Sequence, residues 1–318
     1  MKRLILIGVT LSILFWTTLF AASRSEAIEN TLLAANLQNS PPLQKGSPEE
    51  TSTNIPDWIK RTNFNIQAGT DQRPRYFLET VQPLLGTQEK DIVIFNQLRI
   101  SSSSERPTYN IGLGLRKIFA EKYLLGINSF YDYQDLHQHS RGGVGFEVIT
   151  DKGFESRLNT YIRISGRRQI AEDSANIYYE KVANGFDWEE GIPLPYLPQL
   201  KVYGGGYWYN FEHFKNKYGW KSRLEYTPFK YSKINFEVFD DTKRTRMGYR
   251  IEGAISLAFT SFSLKDLKED FISKQEAYPK VNLRDKVLDG VVRDFNITVI
   301  TSTKAKGTGL TVEGGKSG

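Results

Sequence analysis

The feature that most constrains this chain is a two-residue polarity period that keeps its charges on one face of each segment. In the last such segment Met247, Tyr249, Ile251, Ile255, Leu257 and Phe259 share a face, and Gly248, Arg250, Glu252, Ala254, Ser256 and Ala258 share the other. Alternation of this kind is the strand signature, because successive side chains point to opposite sides of a pleated backbone. The pattern recurs. Ile234, Phe236 and Val238 oppose Lys233, Asn235 and Glu237; Trp220, Leu224 and Tyr226 oppose Lys221, Arg223 and Glu225. Leu158, Ile162 and Ile164 oppose Arg157, Asn159 and Arg163, and Ile111, Leu113 and Leu115 oppose Asn110, Gly112 and Arg116. One solvated face of a soluble β-protein would also alternate. A transmembrane barrel gives the mixed charges a better home, with apolar side chains outward to lipid and polar ones inward to a wet lumen.

Between Thr62 and Phe259 the spacing gives about twelve strands, roughly 16 residues each with their connections, against the 9–11 that a tilted spanning strand needs. They start near Thr62, Arg75, Asp91, Thr108, Lys122, Arg141, Phe154, Glu180, Gln199, Tyr218, Tyr231 and Arg246. An even number places both barrel ends on one side. The connections alternate as well. Gly86–Lys90, Ala120-Glu121, Asp151–Gly153, Pro193–Pro198 and Pro228–Lys230 form the short set. Ser101–Arg106, Gln134–Ser140, Ser165–Ile177, Asn210–Lys217 and Asp240–Thr245 form the more polar, longer set. Short periplasmic turns and longer extracellular loops have this asymmetry. Tyr131, Tyr133, Tyr207, Trp208, Tyr209, Trp220 and Tyr226 lie near strand ends, where aromatic girdles sit.

The N-terminus sets the compartment. Lys2 and Arg3 precede an apolar stretch, Leu4–Phe20, and small residues follow at Ala21-Ala22 and Ala27, so residues 1–27 read as a secretory signal. Residues 28–61 turn polar and proline-bearing and read as a flexible periplasmic segment. The chain has no cysteine, which excludes disulfides, thiolate metal sites and a cysteine nucleophile. The net charge of +6 comes without a basic block, and a chain exported from the cytoplasm is a poor nucleic-acid binder, so no nucleic-acid partner is expected.

Chemical motifs are few. His137 and His139 form an exposed His-x-His whose further ligands no spacing fixes, and no metal is assigned. His137, Asp132, Asp135 and His213 do not make a catalytic set, so no enzyme activity and no cofactor are expected. Gly204-Gly205-Gly206 lacks the helix and Lys-Ser/Thr of a phosphate loop and reads as close packing against a luminal segment or a barrel bend. Arg167-Arg168 read as a solvated loop pair before they read as a lipopolysaccharide-phosphate site.

Several stretches taken in order, Asn110–Arg116, Leu125–Tyr133, Ala183–Asp187, Pro195–Leu200 and Tyr226-Thr227-Pro228, resemble the translocator barrel of the intimin/invasin family, the inverse autotransporters. The likeness runs over most of Trp58–Ile300, and Val287–Ile297 resembles the family's segment after the barrel. It implies an all-β, antiparallel barrel of about twelve strands over residues 62–259, followed by a luminal helix and linker, 260–303, and a short tail, 304–318. Ser263–Lys274 reads as that helix, with Ser263 and Asp266 spaced as a capping box. It further implies an N-terminus in the periplasm and a C-terminal segment that returns through the lumen to the bacterial surface. The lumen-facing groups expected to meet that segment are Arg116, Arg163, Arg223, Glu237, Arg250 and Glu252. Implied partners are outer-membrane lipids and lipopolysaccharide, the outer-membrane barrel assembly machinery, and a host or cell-surface ligand. The family continues into immunoglobulin-like passengers; here the sequence reaches Gly318 without one, which leaves a plugged pore or a passengerless relic as alternatives to a translocator.

Overall fold

The computed structural model describes residues 55–257, except 71, 88, 103–105 and 229–231, together with 276–306 and the backbone of 311–313. The secretory signal, the segment up to residue 54 and the helix expected over Ser263–Lys274 lie outside the described residues.

After a single helical turn, α1 (Asp57–Lys60), the chain enters β1 (Thr62–Gly69), β2 (Gln72–Leu85), β3 (Ile92–Ser102), β4 (Thr108–Phe119), β5 (Tyr123–Gln134), β6 (His139–Thr150) and β7 (Glu155–Arg163). Two short strands follow, β8 (Arg168–Glu172) and β9 (Asn176–Val182). Then come β10 (Asn184–Leu194), β11 (Leu197–Asn210), β12 (Lys217–Tyr226), β13 (Ser232–Asp241) and β14 (Gly248–Ser256). All of these except β8 and β9 form one closed antiparallel barrel of twelve strands, sealed where β1 pairs with β14 with Phe64 opposite Ile255. Closure matters physically. It satisfies the backbone of every strand on both sides, the condition for a sheet to sit in hydrocarbon.

The side-chain alternation follows the sequence. Leu113, Ile127, Phe146, Leu158, Ile162, Met247 and Ile251 point out and are about half exposed, whereas Asn110, Arg116, Asp132, Glu147, Arg157 and Glu189 are buried inside. The aromatic set divides. Tyr131 and Trp220 face outward, but Tyr209 is buried in the lumen and Tyr207 points inward to Asp241, 3.0 Å away. Parity decides this: both tyrosines sit in step with buried Lys201 and Tyr203 along β11.

Two expectations need correction. The stretch Ser165–Ile177 is more than an outer loop: it supplies the β8–β9 hairpin, so the barrel strand placed near Glu180 starts instead at Asn184. The glycine triplet does not make room for the luminal segment. A Cβ at Gly205 would collide with the Trp188 carbonyl and Glu189 of neighbouring β10, and one at Gly204 would meet open space.

The turns at one end are tight. At Ala120-Glu121 both residues take left-handed backbone, φ +49° and +53°, and the Lys122 amide donates to the Phe119 carbonyl at 3.0 Å. That is the hairpin geometry that usually selects Asn-Gly, so this turn is held in place by its surroundings.

Candidate functional site

The chain re-enters the described structure at residue 276 at the tight-turn end of the barrel and runs up through the lumen. Its entry is pinned by the turns. Val281 donates its amide to the Asp151 carbonyl at 2.7 Å, and Tyr196 donates to the Ala277 carbonyl at 2.8 Å. The Arg284 guanidinium reaches Asp91 at 2.8 Å and Glu121 at 2.5 Å. The expected helical linker is, in its described part, one 3₁₀ turn at Leu283–Lys286, capped by Asn282, with extended chain beyond it.

Inside, the segment lies against one wall. Leu283, Val287, Leu288, Val291 and Phe295 pack with Val81, Val93, Phe95, Ile118, Leu124, Phe130 and Ile149, which point inward from β2 to β6. Burial of such a side chain contributes about 1.5–3 kcal/mol. The segment is not in a ladder here, so its backbone polar groups need side-chain partners. Gln97 accepts from the Val291 amide at 2.8 Å, Tyr161 accepts from the Asp294 amide at 2.8 Å, Asn159 donates to the Val292 carbonyl at 3.2 Å, and Asn110 donates to the Phe295 carbonyl at 3.2 Å.

Two buried ionic clamps lock the register. Arg116 donates through Nε to Glu147 at 2.6 Å and through Nη1 to the carbonyls of Lys286, Val287 and Asp289 at 3.2, 3.1 and 2.6 Å. A cation gathers the free carbonyls left where the 3₁₀ turn ends. Higher up, Asp132 accepts from Asn110 at 2.7 Å, from Arg141 Nε at 2.7 Å, and from both Nη atoms of Arg293 at 2.9 Å. The Arg293 fork is bidentate, and its plane lies over Phe130 at 4.4 Å. A Cβ at Gly143 would stand 2.9 Å from the Thr160 carbonyl oxygen and 2.7 Å from Arg293 Nη2, so a side chain there would push on both the neighbouring strand and the fork.

The opposite wall is different. A cavity of about 1550 Å³ runs beside the segment, lined by inward groups of β1, β2 and β10–β14. There Arg223 binds Glu189 and Glu225 at 2.8 Å, Arg250 binds Glu237 at 2.9 Å, and Gln67 donates to Glu252 at 2.8 Å.

These contacts place the six lumen candidates. Arg116 holds the segment directly. Arg223, Glu237, Arg250 and Glu252 line the cavity alongside it and bind neighbouring strands. Arg163 has inward parity but sits at the end of β7, where Nη1 donates to Glu212 at 2.9 Å in the β11–β12 connection.

At the other end the segment leaves the lumen as β15 (Val299–Ala305), pairs antiparallel with β9, and turns into β16 (Thr311–Glu313). The result is a four-stranded sheet, β16-β15-β9-β8, beyond the barrel strands.

A family model for the inverse autotransporter β-domain matches residues 24–293. The chain belongs to that family. It is 39% identical over 108 residues to an invasin of Yersinia enterocolitica, covering 34% of this chain and 12% of the relative. It is 30% identical over 186 residues to the inverse autotransporter adhesin YeeJ of Escherichia coli strain K12, covering 56% of this chain and 8% of the relative. The aligned stretches thus span well under half of the relatives' own lengths. A solved membrane-protein structure from work on in-meso crystallization superposes over 76% of this chain and 99% of its own, with a TM-score of 0.60 and 22% identity, which shows the same barrel fold. An inverse autotransporter β-domain with a closed barrel and a continuous outward apolar band is an outer-membrane protein, in contact with the lipids of that membrane.

For this inverse autotransporter barrel, the sequence put Asn110 and Asn159 on inward faces without giving them a role and did not single out Gln97, Asp132 or Arg141 as inward, nor Arg293 on the segment. Asp132 was within reach: it lies between outward Tyr131 and Tyr133, so its parity is inward. Arg293 carries no such signal, because it lies in an extended stretch outside any strand.

Proposed function

We propose that the barrel anchors the chain in the outer membrane and serves as the conduit through which its own C-terminal segment is delivered to the cell surface. In this reading the tight-turn end is periplasmic and the long-loop end, with the sheet formed by β8, β9, β15 and β16, is extracellular. The observation that carries it is the single-file course of residues 281–298 from one end of the lumen to the other, with carbonyls held by Arg116, Asn159 and Asn110. A segment bound this way is kept extended and in register, so the chain beyond it emerges at one place. Whatever follows β16 would be displayed there, and the adhesin and invasin names of the relatives make attachment to a cell-surface ligand the expected use. Assembly would require the outer-membrane barrel insertion machinery, and the loop end would lie among lipopolysaccharide headgroups.

An epitope tag after Gly318 tests this. Antibody labelling of intact cells is the expected result; labelling only after outer-membrane permeabilisation would overturn the topology. The cavity beside the segment favours a second reading, a plugged pore that passes small solutes. Planar-bilayer conductance with the segment in place would support that reading, and a closed lumen would remove it.

A further inference from the structure

At the loop end, two histidines two residues apart converge on one oxygen of a carboxylate 41 residues beyond the second. His137 Nδ1 lies 2.8 Å from Glu180 Oε2, and His139 Nε2 lies 3.1 Å from the same atom. All three donor atoms fall within 4.8 Å of one another. The geometry points to a divalent transition-metal site of the zinc type, made by His137 of the β5–β6 turn, His139 at the start of β6 and Glu180 of β9.

The donor set fits the chemistry. Imidazole nitrogen and carboxylate oxygen suit zinc, with bonds of about 2.0–2.2 Å, and three protein ligands plus a water complete a tetrahedron. The edge of such a tetrahedron is about 3.3 Å, so the two N···O separations would widen by a few tenths of an ångström and the two ring nitrogens, within 4.8 Å of each other, would draw together. Left-handed backbone at Gln138, φ +53°, lies between the two histidines. The set is preassembled: His139 is fully buried, the Glu180 side chain is 2% exposed, and His137 keeps 20% exposure as the approach side.

One further contact orients the carboxylate. Arg106 holds both oxygens of Glu180, Nη2 donating to Oε1 at 2.7 Å and Nη1 to Oε2 at 3.3 Å. An ion on Oε2 would replace the longer contact, and the shorter one would keep the carboxylate oriented, the usual support for a metal ligand. The Arg106 charge works against a second cation and sets the affinity below that of an all-anionic site.

An ion here would fasten the β5–β6 turn to the strand that pairs with β15, and so brace the place where the luminal segment leaves the barrel. The test is isothermal titration of Zn²⁺ into the full chain in detergent micelles, purified without a polyhistidine tag. One Zn²⁺ per chain is expected, weakened tenfold or more by His137→Gln and by Glu180→Gln, with His213→Gln unchanged. His137 is partly exposed, so its variant should fold; cold SDS-gel mobility of the compact barrel checks that. Absence of Zn²⁺ binding, or binding unaltered in the His137 and Glu180 variants, would overturn the site.

Discussion

The two walls of the lumen are built by the same alternation and do different work. On the β2–β7 side the inward residues are buried against the segment, as apolar packing and as the Arg116 and Asp132 clamps. On the β12–β14 side the inward residues answer each other across strands, buried as in Arg223 with Glu225 or half-buried as in Arg250 with Glu237. The first wall binds a peptide; the second neutralises its own charge around a solvent-sized space. Charge on an inward face therefore does not by itself mark a binding wall. What marks it is an unpaired main chain close enough to need donors and acceptors.

The sharpest way to break this contrast is Asp132→Ala. It would leave Arg141 and Arg293 buried without their shared carboxylate, and loss of one member of such a set costs about 3–5 kcal/mol. Urea unfolding of the detergent-solubilised barrel should show it, and a loss below about 1 kcal/mol would mean the clamp is not holding the segment. Phe295→Ala should follow closely, at about 3 kcal/mol from lost burial and the cavity left behind. On the other wall, Arg250→Ala combined with Glu237→Ala should change stability by less than about 1 kcal/mol, because both groups face the cavity and are screened. A large destabilisation in the double variant would erase the distinction between the walls. Because the chain has no cysteine, a single cysteine at Lys306 or at Arg284 can be probed with an impermeant maleimide. The two ends of the segment should then label oppositely, Lys306→Cys on intact cells and Arg284→Cys after permeabilisation.

The smallest effect concerns the sheet beyond the barrel. Glu180 is held down to about 2 from an ordinary value near 4.5 by His139, Arg106 and His137. A depressed carboxyl contributes its full stabilisation above its unfolded value and loses it as the pH falls through the folded one. The protection factors of the β8–β9 amides, exchange rates corrected for the intrinsic pH dependence, should thus fall between pH 4.5 and 2, while those of the barrel strands should not follow.

The barrel was legible because its signal is local. Each strand must send one face to lipid and the other to the lumen, so a period of two survives in every segment, from Ile111–Arg116 to Met247–Leu257. The β8–β9 hairpin was not legible, since its side chains are largely exposed along β8 and mostly half-buried along β9, and no face of it is constrained to be apolar. The occupants of the lumen were half legible. Parity gives inward direction, so Arg116 and Arg250 were both placed inward, but parity says nothing about which inward residues meet a segment some 170 residues further along the chain.

The sequence alone determined the strand number, the inward and outward faces and the unequal ends, because lipid and water act on each residue separately. Only the tertiary structure decided that Asp132 gathers two arginines, that His137, His139 and Glu180 share one oxygen, and that the segment lies on one wall and leaves a cavity at the other. Those outcomes depend on barrel closure, which brings residues together at distances that no period in the chain records.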